Sequence, residues 1–188
     1  MTDEIVGSSV PDEEINLCLY DPVWPAQFER EALVLTEALG RHVAGGVHHV
    51  GSTAIPGLAA KPVIDIMIGV RDLDSSRPCI DVLAELDYCY APYRQDVMHW
   101  FCKPNPARRT HHLHLVPTDS ERFTDVLAFR DYVRTHPAVG RQYEELKRRL
   151  AVQHARDRNA YTDGKSAMVA TITADARRWM QGGVWRPR

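Results

Sequence analysis

Apolar positions between Pro25 and Leu39 recur at helical spacing: Phe28, Leu35 and Leu39 fall on one side, and Glu29, Arg30 and Glu37 on the other. That one-sided pattern belongs to a helix lying on a sheet. Pro25 suits the first helical turn and Gly40 marks the stop. The period then changes. GGVHHV (45–50) and PVIDIMIGV (62–70) are short and rich in branched residues, so they read as neighbouring strands joined by the turn-rich loop GSTAIPGLAAK (51–61). Ser76 can cap a helix running to about Leu86, and strand-like stretches follow at YCYA (88–91), MHWFCK (98–103) and THHLHLV (110–116). The last third, from Asp119 to Met180, is helical, with breaks near His136-Pro137 and Thr162-Asp163-Gly164. Strands mingled with helices first, and helices alone afterwards, predict an α/β chain of the α+β kind: a mixed sheet with helices packed on it rather than a doubly wound fold. The sequence contains no internal repeat.

A chain of 188 residues is long enough to bury its own core, so one domain is expected, over residues 17–180. Residues 1–16 are acidic and interrupted by Gly7, Ser8, Ser9 and Pro11, which predicts a flexible tail. Residues 181–188, with Gly182, Gly183 and Pro187, predict a short basic one. An apolar share of 44% with no unbroken apolar run of about 20 residues excludes a bilayer-spanning helix. The acidic start is the reverse of a signal peptide and predicts a cytoplasmic protein. Cys18, Cys79, Cys89 and Cys102 are scattered without metal-ligand spacing, as expected of ordinary thiols in a reducing compartment. The formal charge of −2 gives no global attraction to nucleic acid or to a membrane surface, so any charge that binds phosphate must be local.

The chemistry concentrates in HHVGSTAIPGLAAKPVIDIMI (48–68). A glycine at a strand end, Gly51, lets a phosphate approach the backbone. The hydroxyls and amides of Ser52 and Thr53 can bond its oxygens, and a carboxylate on the next strand, Asp65, can hold a divalent cation. The plainer alternative is a common turn and a carboxylate that satisfies backbone donors. His112 and His114 share one face of a strand and His49 precedes Gly51 by two. With Asp65 they could converge on a metal, for which imidazole would favour zinc or manganese over magnesium, or they could simply be hydrogen-bonded strand residues. Four cations sit beside turns or on helices of interest: Lys61, Arg130, Lys147 and Lys165. Lys165 opens the last helix, where free amides could share an anion with it. Lys147 lies on a face where Glu144 and Arg148 form an ordinary i,i+4 pair. Trp24, Trp100 and Phe101 could stack on a base or belong to the core.

Together the runs YDPVWPAQF, HVGSTAIPGLAAKPVIDI, THHLHLV, LAFRDYVRTHP, YEELKRRLA and RNAYTDGKSA resemble the GrpB family, which implies a nucleotidyltransferase-like fold over about residues 17–180. In active members of that superfamily a Gly-Ser pair grips the triphosphate, and carboxylates on adjacent strands hold two magnesium ions. Gly51, Ser52 and Asp65 match the start of that pattern. Met67 stands where a second carboxylate is expected, and THHLHLV offers histidines in place of a third. The resemblance therefore implies a nucleotide or other phosphate ester as ligand, with magnesium, manganese or zinc as cofactor. Asp65 becomes the catalytic candidate for nucleotidyl or phosphoryl transfer. Two alternatives stand beside it: a nucleotide-binding or regulatory module without catalysis, and a His/Asp metal-dependent hydrolase or lyase.

Overall fold

The computed structural model describes residues 14–183, and most of both expected tails lies outside them. The chain order is α1 (Trp24–Leu39), β1 (Val47–Val50), β2 (Ile64–Val70), α2 (Cys79–Ala84), β3 (Cys89–Ala91), β4 (His99–Pro104), β5 (Arg109–Pro117), α3 (Glu121–Thr135), α4 (Pro137–Gln153), α5 (Arg158–Asp163) and α6 (Ser166–Gln181). The five strands form one mixed sheet in the order β1-β2-β5-β4-β3. β2 and β5 run parallel at its centre and every other pairing is antiparallel. The expected neighbours β1 and β2 do pair, and the mixed α+β class is the one observed.

Alternation along β2 sorts its residues between two cores. Ile64, Ile66, Ile68 and Val70 point to one side, where they pack with Leu113, Leu115 and Phe101 beneath Leu35 and Leu39 of α1. On the other side Met67 packs with Val50, Met98, Val116 and Leu127 of α3. A third cluster joins Ile55 and Leu58, from the loop after β1, to Val133, Tyr143 and Ile172 of α3, α4 and α6. The C-terminal helices therefore hold the β1–β2 loop as well as covering the sheet.

Several local expectations are revised. Ser76 does not cap a helix. Its hydroxyl donates to the Leu73 carbonyl in a turn, and α2 begins after Pro78 without a side-chain cap. The helical third breaks at His136 and around Gly164 as expected, and also after Gln153, before Asp157 caps α5 through the Ala160 amide. Ile15, placed by the sequence in a tail, is buried with Leu150 and Tyr161, and its amide bonds the Ala155 carbonyl. No helix among the described residues is long and apolar enough to cross a membrane.

Candidate functional site

The site begins at the end of β1, where Gly51 turns the chain at φ 69°, in the left-handed region that favours glycine. A Cβ at this position would overlap the Asp65 carboxylate, so the turn and the carboxylate approach each other only because residue 51 has no side chain. Ser52 follows on a single 3-10 turn (Ser52–Ala54). Its hydroxyl accepts from Lys147 Nζ of α4 at 3.2 Å, and the same ammonium also donates to the Ala59 carbonyl. Glu144, one turn earlier on α4, accepts from the Ala59 amide at 2.9 Å. A single face of α4 thus pins both ends of the loop, and the expected Glu144–Arg148 pair lies beside this clamp.

Asp65 accepts a hydrogen bond from His112 Nδ1 at 2.9 Å across the parallel pair β2–β5. A carboxylate can only accept here, which places the proton on Nδ1 and leaves His112 Nε2 buried without a hydrogen-bond partner. Burial works to raise the Asp65 pKa. The His112 hydrogen bond and the charges of His112, His114 and Lys165 outweigh it and hold the group below the usual carboxylate range.

Two lysines approach Asp65 from the C-terminal helices. Lys147 is buried, and desolvation lowers its pKa to about 7, with Glu144 and Asp65 opposing and the like charges of Lys165 and Arg148 assisting. Lys165 precedes α6, and desolvation lowers its pKa to about 8, with Asp65 opposing and Lys61 assisting. Lys147 and Lys165 therefore repel each other and are both drawn by Asp65, and Lys61 adds its charge beside Lys165. Each of the two lysines lies over a tyrosine ring four residues earlier: Lys147 at 5.0 Å from Tyr143, and Lys165 at 4.2 Å from Tyr161. The i,i+4 spacing of both pairs is a signal that the sequence itself carries.

Other expected site residues go elsewhere. His49 faces the opposite side of the sheet. The β1–β2 register sets Val50 against Asp65 and His49 against Ile66, and the His49 ring stacks on Phe28 of α1 at 4.8 Å. Burial lowers its pKa to about 4, and its Nε2 bonds the Thr53 hydroxyl at 3.0 Å. Thr53 donates in turn to the Val63 carbonyl, so its side chain is part of the scaffold. Arg130 is buried: its Nε pairs with Asp131 at 2.7 Å and its Nη1 donates to the His49 carbonyl at 3.2 Å. Arg134, which no sequence motif singles out, binds the Ala54 carbonyl in the same way.

His114 shares the face of Asp65, but its Nδ1 lies 3.3 Å from Met98 Sδ, and burial lowers its pKa to about 3. The four-ligand set His49, Asp65, His112 and His114 is not assembled. Among the described residues no group of three or more His, Cys, Asp or Glu side chains is arranged to hold a metal ion. The donors present do not fit a two-metal centre, because Asp65 lacks a second carboxylate and Met67 is 1% exposed within the core.

Fold and site together define a mixed α+β domain in which the Gly51-Ser52 turn, Asp65, His112 and two partly desolvated lysines meet at one end of the central strands. The matching of the GrpB protein family over residues 14–175 then places the chain: it belongs to the GrpB family. It is 31% identical over 172 residues to the UPF0157 protein YqkA of Bacillus subtilis, covering 92% of this chain and 50% of that protein. The chain thus spans about half the length of that relative. It is 32% identical to the Glutamate-rich protein GrpB of Alkalihalophilus pseudofirmus, covering 85% of this chain and 94% of that one. The crystal structure of the conserved protein GrpB from Enterococcus faecalis superposes with a TM-score of 0.79 at 32% identity, over 87% of this chain and 99% of that one.

Proposed function

We propose that this domain binds a phosphate ester, of which a nucleotide is the leading example, with its phosphates at the Gly51-Ser52 turn and its negative charge met by Lys61, Lys147 and Lys165. The observation that carries this reading is the pairing of two partly desolvated ammonium groups, Lys147 and Lys165, with pKa values lowered to about 7 and about 8, beside Asp65, with Lys61 adding like charge next to Lys165. Crowding cations in a partly desolvated cleft costs stability, and an anionic ligand relieves that cost. Lys147 and Lys165 also sit on tyrosine faces that hold their stems in place, so little ordering is left for binding.

Transfer of a nucleotidyl group by two metal ions is not part of the reading, because the donor set lacks its second carboxylate. Binding alone accounts for the features described. Lys165→Ala should weaken inorganic tripolyphosphate by roughly tenfold, as expected for the loss of one charge-assisted contact, while leaving any affinity for an uncharged nucleoside unchanged. Isothermal calorimetry on both ligands checks this. Equal weakening of the two, or of neither, would remove Lys165 from the phosphate site.

A further inference from the structure

Of the three large aromatics the sequence offers for stacking, Trp24, at the start of α1, is 3% and Phe101 0% exposed, and both belong to the core between α1 and the sheet. Trp100 differs. It is half-buried on β4, on the sheet face that carries Asp65 and His112, because its register partner on β5 is His114. Its ring centroid lies 5.3 Å from the His112 ring, whose Nδ1 holds Asp65, so the half-buried indole, one side of which packs on the core of Met67, Met98 and Leu127, extends the Asp65–His112 pair away from the lysines. The guanidinium of Arg109 lies over the indole with its Cζ 5.2 Å from the ring centre, and exposed Tyr93 meets the indole edge-on at 6.5 Å.

We propose that Trp100 and Arg109 form a subsite for the planar heteroaromatic ring of the ligand, which makes that ligand a nucleoside phosphate rather than a bare polyphosphate or a sugar phosphate. The inference rests on the phosphate reading above and adds the other end of the ligand. Adjacent strands lie about 4.8 Å apart, so β2, beside the Gly51-Ser52 turn, and β4, which carries Trp100, are separated by about 10 Å. A sugar bearing a base bridges such a gap, crossing Asp65 and His112 on the way. The two ends of the cleft also differ in chemistry. Point-charge ammonium groups gather at one end. At the other, the guanidinium of Arg109 is stacked on the indole of Trp100, and the outer face of this pair offers a flat cationic surface on which a base can stack, with the indole behind it fixing the guanidinium.

The test compares tripolyphosphate with ATP, GTP, CTP and UTP by calorimetry, on the wild-type chain and on Trp100→Leu, Trp100→Phe and Arg109→Ala, each checked for an unchanged thermal midpoint. The tightest nucleoside triphosphate should bind the wild type roughly tenfold or more tightly than tripolyphosphate, in line with one base stacked on an aromatic ring. Trp100→Leu should erase that advantage and Trp100→Phe should keep part of it. Arg109→Ala should reduce it, and all three should leave tripolyphosphate affinity unchanged. A wild type that binds tripolyphosphate as tightly as every nucleotide overturns the subsite while the phosphate reading survives. Parallel weakening of tripolyphosphate and nucleotide in Trp100→Leu also overturns it, since the indole would then support the cleft only as scaffold. A wild type that binds neither overturns both readings.

Discussion

Gly51→Ala is expected to be the most damaging conservative change at the cleft, lowering stability by about 3 kcal/mol and the thermal midpoint by roughly 6–12 °C. Two costs add. The backbone sits at φ 69° and ψ −169°, a region essentially confined to glycine where an alanine costs about 1–3 kcal/mol, and the new methyl would overlap the Asp65 carboxylate. Moving Asp65 breaks its hydrogen bond to His112 and leaves two polar groups in a partly buried cleft to find new partners. Gly57 provides a second glycine at positive φ for comparison. It has φ 78°, and a methyl added there would meet nothing within 4 Å, so Gly57→Ala should show the backbone cost alone, about 1 kcal/mol. Denaturation of both variants by urea compares the two losses. Equal losses at the two positions would mean that Asp65 yields freely to the methyl group.

Met67→Asp is expected to cost still more, on the order of 4 kcal/mol, and to gain no magnesium affinity. Residue 67 is 1% exposed among Val50, Met98, Val116 and Leu127, so the new carboxylate would be buried among apolar side chains and would have to remain protonated or unfold its surroundings. Met67→Leu, close to it in volume, should cost less than about 1.5 kcal/mol and serves as the packing control. A Met67→Asp variant as stable as the wild type, or one that binds magnesium with tripolyphosphate more tightly, would show that this part of the face opens to the cleft.

Residue 67 also illustrates what can be read from the sequence. Strand alternation correctly puts Met67 on the face of Asp65, yet that face is divided. Its end near Gly51 opens to the cleft, while the stretch from Met67 onward lies under Leu127 of α3. Local period fixes which residues share a face and says nothing about which helix later covers it. The same limit explains His49, whose face depends on the register that opposes Val50 to Asp65. The charge of Arg130 marks it as a phosphate ligand, but its helical position turns it inward onto Asp131 and the His49 carbonyl, a tertiary contact spanning 81 residues. Features set by neighbouring residues are legible: the limits of α1, the five strands, the Gly51-Ser52 turn and the break before α6. Lys147 and Lys165 are legible as candidates, whereas their convergence on Asp65 requires the assembled fold.

The central claim, that partly desolvated lysines in this cleft receive a phosphate-bearing anion, is tested most directly by the pH dependence of tripolyphosphate binding to the wild-type chain. Lys147 and Lys165, with free-state pKa values of about 7 and about 8, carry full charge only below those values. Binding should therefore be strongest near pH 6.5, weaken as pH rises through 7 to 9 by roughly tenfold or more, and take up protons in the upper part of that range. The ligand only gains negative charge over the same range, so a fall in affinity has to come from the protein. A Lys147→Met, Lys165→Met double variant should bind weakly at every pH. Affinity that is constant or rises from pH 6.5 to 9, or binding unaffected by the double substitution, would contradict the account.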